Sequence, residues 1–337
     1  MNRRALACAV CAALVLVAPA AAGPGAASWA LPQIKVVAAK GLMGGKVAAF
    51  RPDDAITRGE LADLVTDLSG GPAPLPDDAS APATIAQLDA QLVRGLGLLP
   101  SARLFSAAIR DAGLTPTRYF GTEVVARLIG LRVNHPAGQD ALELGPEDPA
   151  TRAEAAYSAA RILAFGDGET EFVEKLADGF RPQSLSGLQR EILQTAVSLV
   201  GYPYVWAGTS ERRPVGSDLP GGFDCSGFVW RVYKLEDYGA DGLAATLKGR
   251  TTYAMSGEVG RAKRIPLGRL QPADLVFFGA DGVDSKPAEV DHVGIYLGDG
   301  WFVHSSEQGV ALAQVSSDWY AKRFAWGRRP LAEAGLD

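Results

Sequence analysis

Apolar residues recur every three or four positions through much of the first half of the chain. Leu61, Leu64, Val65 and Leu68 place one apolar face on a helix, and the apolar positions 124, 125, 128 and 129 repeat that pattern. Residues 29–168 are therefore predicted to form a region of short amphipathic helices, interrupted by Pro, Gly and Asp. The polar residues 169–185 contain Pro and Gly, which predicts a linker around a short helix.

The pattern changes in the second half of the chain, from about residue 186 onward. Apolar residues at helical spacing from Leu188 to Leu199 predict one helix, and a second amphipathic helix is predicted to begin at Cys225. Further on, the strand-like runs 293–297 and 301–303 are joined by Gly298, Asp299 and Gly300. Two such runs around a short Gly-containing turn predict a β-hairpin.

Length and composition limit the classes of protein that fit. The chain has 337 residues, more than the about 250–300 at which a single core stops growing, so at least two domains are expected. Apolar residues make up 47% and charged residues 21%, as in ordinary folded proteins. The net charge of -5 and the absence of any Lys/Arg run argue against nucleic-acid binding.

The first 22 residues have the pattern of a secretory signal peptide: a basic start, an apolar run from Ala5 to Val17, and a small-residue end at Ala22. A retained membrane anchor is the alternative, but the apolar run is shorter than the about 20 residues that a membrane span needs. We expect a secreted mature chain without a membrane span, either soluble or wall-attached outside the membrane. Signal removal would leave Cys225 as the only cysteine, which excludes a disulfide framework.

Two segments of the helical region repeat each other. Phe50 to Glu60 and Leu144 to Glu154 align without a gap and share Pro, Asp, Thr, Arg and Glu. Thr57 with Glu60, and Thr151 with Glu154, are predicted to form capping boxes at helix starts. An internal repeat favours stacked similar units over one irregular core.

The repeated string is an aromatic residue, an Arg-Pro-Asp turn and then Thr-Arg-x-Glu, and it resembles the S-layer homology repeat. The resemblance implies an all-α domain over residues 29–168 that binds an anionic secondary cell-wall polymer, with Arg58 and Arg152 contacting the polymer. A degenerate middle repeat is predicted from Phe120 to Leu131. A purely structural role of the repeats is the alternative.

Cys225 is the candidate nucleophile, since a helix start favours an anion and is expected to lower the pKa of a thiol there. Its candidate proton carriers are His292 and His304 on the predicted hairpin, whereas His135 is expected on a surface loop. Two other interpretations are a buried, inert cysteine and a zinc site made by the same three side chains. The zinc site lacks a second cysteine, and no cofactor or metal is expected.

Residues from about 186 to 330 resemble the NlpC family of cell-wall cysteine peptidases, which implies a papain-like α+β domain over residues 186–332. Ala207 and Ala273 stand where that family usually has Gly. The matching strings are Pro203 to Trp206, Phe223 to Gly227, Arg250 to Tyr253, Asp274 to Phe278, His292 to Gly298 and Phe302 to His304.

The three candidate side chains give a mechanism, and the resemblance adds further site residues and a substrate. Cys225 would attack an amide carbonyl, His292 would carry the proton, and His304 would orient His292. Tyr204 would line the oxyanion side, and the substrate contacts would come from Asp224, Ser226 and Arg250. The alternatives are an N-cap of the helix for Asp224 and ordinary packing of the cleft wall for Tyr204 and Trp206. The family cuts peptidoglycan stem peptides at the bond between γ-D-glutamate and the next diamino acid. An amidase or acyltransferase on the same scaffold and a non-catalytic wall-attachment protein are the alternatives.

The register of the predicted hairpin decides whether His304 can serve the site. A two-residue turn at Asp299 and Gly300 would turn His304 away from His292, because side chains alternate between the faces of a strand. A three-residue turn would pair Leu297 with Trp301 and Gly294 with His304. We therefore predict an odd-length turn or an equivalent bulge, with both imidazoles on one face.

Overall fold

The computed structural model describes residues 28–217 and 219–336, so the predicted signal peptide lies outside the described residues. The first part of the described chain is helical. Its helices are α1 (Leu31–Ala39), α2 (Arg58–Ser69), α3 (Ile85–Gly95), α4 (Leu99–Asp111), α5 (Phe120–Leu128), α6 (Arg152–Leu163) and α7 (Glu169–Gly179). None of the helices in the described ranges combines the length and apolar character needed to cross a membrane.

Threonine caps begin three of these helices. Thr57 Oγ1 accepts from the Glu60 N–H at 3.1 Å, and the Glu60 carboxylate accepts from the Thr57 N–H at 2.9 Å, which confirms the first predicted capping box. Thr151 caps α6 in the same way at 3.1 Å, but the carboxylate of Glu154 binds Arg132 instead of closing the box. An unpredicted box, made by Thr84 with Gln87, begins α3.

The three capped segments bind one another in a ring. Ile56 N–H donates to Ala150 O at 2.9 Å, Ala150 N–H to Ala83 O at 2.8 Å, and Ala83 N–H to Ile56 O at 2.9 Å. The middle unit of the repeat therefore begins its helix at Thr84, and the prediction of Phe120 to Leu131 was wrong. Those residues do form α5, but its N-cap Tyr119 makes no side-chain cap and the helix packs against α3 and α4 instead.

The second part of the chain combines helices and a sheet. Its helices are α8 (Gly187–Ser198), α9 (Cys225–Trp230), α10 (Leu243–Thr246), α11 (Thr252–Gly257), α12 (Asp318–Arg323) and α13 (Pro330–Glu333). Its strands are β1 (Thr209–Ser210), β2 (Gly222–Phe223), β3 (Leu275–Gly279), β4 (Val290–Gly298), β5 (Trp301–Ser306), β6 (Gly309–Gln314) and β7 (Phe324–Arg328).

An antiparallel five-stranded sheet of order β6-β5-β4-β3-β7 organises this part, and β1 pairs with β2 separately. The side of the sheet that carries Val293, Ile295 and Val303 belongs to the main core together with α9. The other side carries a smaller apolar cluster that includes Phe278 and Phe302. A helical region followed by a domain with helices and an antiparallel sheet confirms the predicted α+β class.

The two parts share a continuous core. In the predicted linker, α7 buries Val173 and Ala177, and Phe180 after it packs edge-on against Trp301 of β5 with ring centroids 5.0 Å apart. Arg127 of α5 is buried and donates to the carbonyl oxygens of Gly201 and Gln308, and α5 also contacts β6. The helical region is thus packed against the sheet domain.

Candidate active site

Cys225 is the first residue of α9, directly after the short strand β2. Asp224 caps that helix, since its carboxylate accepts from the Gly227 N–H at 2.5 Å. The Cys225 thiol is half-buried, and its Sγ lies 3.9 Å from the carbonyl oxygen of Asp291, the residue before His292. The helix start therefore meets β4 at the position of the predicted proton carrier.

The structure brings His292 and His304 together. His292 Nε2 and His304 Nδ1 are 2.9 Å apart, both residues are buried, and their ring planes are perpendicular. Gly294 pairs with His304, as predicted. A Cβ at Gly294 would lie 2.5 Å from the Phe302 ring and 3.1 Å from the His304 Cβ, so a glycine here lets the second imidazole approach.

The structure has the bulge, one of the two arrangements predicted for this hairpin, and not the three-residue turn. Gly298 pairs with Trp301, which leaves Asp299 and Gly300 as a two-residue turn with φ of 50° and 76°. Positive φ at both central residues is the requirement of a type I′ turn, which Asp-Gly favours. The register shifts between Tyr296 and Gly298, and this bulge at Leu297 returns His304 to the face of His292.

The predicted lowering of the Cys225 pKa was wrong. Burial raises the pKa of the thiol to about 12, and the neighbouring Asp224 carboxylate adds to this, while N–H groups of Ser226 and Val293 oppose it. Burial likewise lowers the pKa of His292 to about 4. Because loss of solvation outweighs the helix start, the resting pair is a neutral thiol and a neutral imidazole.

Arg250 connects the predicted substrate residues beside the thiol. Its Nη1 donates to the Ser226 hydroxyl at 2.6 Å and to Asp224 at 3.1 Å, and its Nη2 donates to the other Asp224 oxygen at 3.1 Å. Burial raises the pKa of Tyr204 well above its usual range, and Cys225 is the next cause, so a neutral phenol stands near the thiol. All four predicted substrate or oxyanion residues lie near Cys225.

Two alanines at the edges of this domain have left-handed backbones. Ala207 has φ of 59° and Ala273 has φ of 70°, a region in which glycine is favoured. The backbone conformation gives a physical reason for the glycine that the resemblance implies at these two positions. Next to Ala207, the exposed Trp206 donates its backbone N–H to the Asp140 carboxylate of the helical region at 3.0 Å.

Asp140 and Tyr320 are residues near the site that the sequence did not point to. Asp140 lies far along the chain from the strings that resemble the peptidase family. Tyr320 of α12 brings its hydroxyl to 3.4 Å from His304 Nε2. His135, expected on the surface, is buried instead, because its ring packs against Trp29 with centroids 4.5 Å apart. Its Nε2 lies 3.7 Å from the Glu154 carboxylate.

Arg58 is the first residue of α2 and Arg152 is the first residue of α6, so the two lie in different segments of the ring. The Arg152 guanidinium is buried and donates to Phe50 O at 2.9 Å, Met43 O at 3.0 Å and the Glu60 carboxylate at 2.5 Å. The half-buried Arg58 has an Nε atom with no hydrogen-bond partner among the described residues. Arg152 lines a surface groove with basic and acidic neighbours, namely Lys46, Arg51, Glu60, Asp63 and Asp67.

Comparison with known families identifies two domains. Residues 201–329 match the sequence model of the NlpC/P60 family, and residues 23–62 match that of the S-layer homology domain. The chain thus carries an NlpC/P60 domain of the peptidase family, preceded by an S-layer homology domain.

The curated relatives are peptidoglycan-cleaving enzymes. Gamma-D-glutamyl-L-lysine dipeptidyl-peptidase of Bacillus cereus is 32% identical over 42% of this chain and 36% of its own. The enzyme of the same name from Bacillus subtilis is 30% identical over 44% of this chain and 43% of its own. Murein DD-endopeptidase MepH of Escherichia coli is 33% identical over 41% of this chain and 44% of its own. The chain therefore spans less than half the length of each of these relatives.

Among solved structures, an NlpC/P60 family protein from Bacillus cereus is 27% identical, with a TM-score of 0.33. The match covers 45% of this chain and 44% of that one.

Proposed function

We propose that the protein is a secreted cysteine endopeptidase that hydrolyses peptidoglycan stem peptides at the γ-D-glutamyl-diamino acid bond. The observation that carries the proposal is the position of Cys225 at a helix start against β4, beside the bonded pair of His292 and His304. Residues 1–22 would be the signal peptide, 29–168 the wall-binding repeats, 169–185 the linker and 186–332 the catalytic domain.

The neutral resting pair defines how the nucleophile forms. His292 Nε2 is bonded to His304, so Nδ1 is the nitrogen left to take the thiol proton. As that proton leaves, Cys225 Sγ attacks the amide carbonyl, and the developing oxyanion is met by the Cys225 N–H and Tyr204. His292 then protonates the leaving amine, and a water molecule activated by His292 hydrolyses the thioester and restores the thiol.

The network of Asp224, Ser226 and Arg250 supports recognition of a short, charged peptide. Its carboxylate and guanidinium already neutralise each other at 3.1 Å, so a substrate terminus would bind by completing their hydrogen bonds. Asp224 and Ser226 would hold the termini of the stem peptide. The names of the two Bacillus relatives favour the γ-D-glutamyl bond over the bond cut by a DD-endopeptidase.

Substitution of the nucleophile tests the reaction. Cys225→Ala is expected to reduce release of peptides from purified peptidoglycan by a factor on the order of 10⁴ or more, and His292→Ala nearly as much. Mass spectrometry of the products also identifies the bond, and an added amine in the products would reveal an acyltransferase. Ser316→Ala, at an exposed position, is the control. Continued release of diamino-acid peptides by a folded Cys225→Ala protein would refute the assignment.

Wall binding by the helical repeats is the second part of the proposal. Since the groove beside Arg152 carries both acidic and basic side chains, binding would depend on directed hydrogen bonds more than on net charge. Repeats that hold the enzyme on the cell wall would raise the local concentration of its peptidoglycan substrate.

Binding is measured by co-sedimentation of the mature Cys225→Ala protein, which leaves the walls intact, with purified cell walls. Arg58→Ala combined with Arg152→Ala is expected to reduce the bound fraction several-fold, and Arg51→Ala tests the groove without touching the buried contacts of Arg152. Arg103→Ala, at an exposed position of α4, is the control. Equal sedimentation of all variants, with unchanged melting temperatures, would leave the repeats as a spacer.

A further inference from the structure

The hydrogen bonds that begin at His292 continue past His304 to α12. His292 Nε2 is 2.9 Å from His304 Nδ1, and the Tyr320 hydroxyl is 3.4 Å from His304 Nε2. The Ser306 side chain lies near the same hydroxyl and lowers the pKa of Tyr320, against the rise that burial causes. Both nitrogens of the His304 ring therefore face a polar partner.

Proton counting fixes the role of each nitrogen. For His292 to take the Cys225 proton at Nδ1, its neutral ring must carry its own proton on Nε2, and this N–H must donate to His304. His304 Nδ1 must then be an unprotonated acceptor. A neutral His304 consequently carries its proton on Nε2, and that N–H needs an acceptor.

The surroundings of His304 leave few groups that could accept. Its ring lies against Phe302 and Tyr320, with centroids 4.8 and 5.4 Å away, and burial lowers the pKa of His304 well below its usual range. The ring is therefore neutral and carries a single proton. An N–H left unbonded in such a place is costly, so the acceptor at Nε2 determines which tautomer is populated.

We propose that Tyr320 is a positioning residue that holds His304 in the tautomer with its proton on Nε2. The Tyr320 oxygen accepts from His304, with its own proton turned away from the imidazole. His304 Nδ1 is thereby kept free to accept from His292, which in turn keeps His292 Nδ1 free for the thiol proton. This inference rests on the proposed function for its catalytic consequence, although the tautomer itself does not depend on any substrate.

Tyr320→Phe removes the hydroxyl and keeps the ring, which packs against Phe278 and Phe302. We expect kcat on peptidoglycan fragments to fall about 10-fold with KM nearly unchanged, since a transition-state arrangement is lost and no substrate contact is removed. Tyr296→Phe is the matched control, because Tyr296 belongs to the same apolar cluster and its hydroxyl accepts from the Gly300 N–H at 2.8 Å. An unchanged kcat in Tyr320→Phe would overturn the proposal.

The tautomer is read directly by ¹⁵N NMR of histidine-labelled Cys225→Ala protein, with and without Tyr320→Phe. We expect the His304 proton on Nε2 in the first protein and a mixture or the other tautomer in the second. A proton on Nδ1 in the Cys225→Ala protein would refute the proposal even if the peptidase activity is established. The expected shift in a protein without peptidase activity would support Tyr320 while refuting the proposed function.

A double-mutant cycle isolates the path through His304. Asn at position 304 can place its Oδ1 where His304 has Nδ1, and an amide oxygen accepts without any choice of tautomer. In a His304→Asn background that retains measurable activity, Tyr320→Phe is therefore expected to change kcat less than twofold. A full 10-fold loss in that background would show that Tyr320 acts by another route.

Discussion

Backbone conformation at single residues sets the shape of the cleft. Gly294 gives the space in which the two imidazoles meet, and no larger side chain fits without moving the Phe302 ring or His304. Ala207 presents the opposite case, since it holds a left-handed backbone with a side chain that this conformation disfavours. The loop after Trp206 therefore keeps its shape at a cost in stability.

That cost predicts a stabilising substitution. Ala207→Gly is expected to raise the free energy of unfolding by about 0.5–1 kcal/mol, because the strain of a left-handed alanine exceeds the extra freedom of glycine in the unfolded chain. The position is exposed, so little packing is lost. Urea denaturation measures the change. Ala107→Gly, inside α4, is the control and should lower stability by about 1 kcal/mol. A lower stability for Ala207→Gly would mean that the contacts of the alanine methyl stabilise the fold by more than its backbone strain costs.

At the scale of elements, the hairpin of β4 and β5 shows what could be predicted from the sequence. Side chains alternate between the two faces of a strand, so His292 and His304 share a face only if Gly294 pairs with His304. That pairing is present. The same argument could not choose between a longer turn and a bulge, because both move the register by one residue. The choice follows from the Asp-Gly pair, whose preference for a two-residue turn places the extra residue at Leu297.

The repeats show where a motif fails as a guide. The first and third helix starts could be predicted because they keep Thr, Arg and Glu. The middle one keeps only Thr84, with Ile85 and Gln87 in place of Arg and Glu, so its identity appears only in the ring of backbone bonds. Tyr320 could not be predicted either, since α12 brings it to His304 from outside the recognised strings.

At the scale of the whole molecule, the helical region and the sheet domain meet over a cluster of buried charges. Arg127 binds Glu123 at 3.0 Å, and Arg132 binds Asp89 at 3.2 Å and Glu154 at 3.0 Å. Buried ion pairs of this kind add little net stability, but loss of one partner is costly. Asp140 of the helical region also accepts a hydrogen bond from the backbone N–H of Trp206 in the sheet domain. The helical region therefore supports one wall of the cleft.

Glu143 makes this contact region sensitive to pH. Burial raises the pKa of its carboxyl to about 7, although it accepts from the His135 N–H. The folded protein therefore holds a proton on Glu143 that the unfolded chain releases near its ordinary value of 4.5. Because the folded state binds more protons between these two values, the contribution of Glu143 to stability falls as the pH rises from about 4.5 to 7 and is flat above.

Glu143→Gln mimics the protonated carboxyl and keeps an oxygen for the His135 N–H. The variant is expected to match the parent at pH 5 and to exceed it at pH 8 by about 1–3 kcal/mol in the free energy of unfolding. Urea denaturation of both proteins at the two pH values gives this difference. Glu174→Gln, at an exposed position of α7, should show no such pH-dependent gain. An equal difference between Glu143→Gln and the parent at both pH values would show that the Glu143 carboxyl is already ionised in the folded protein at pH 5.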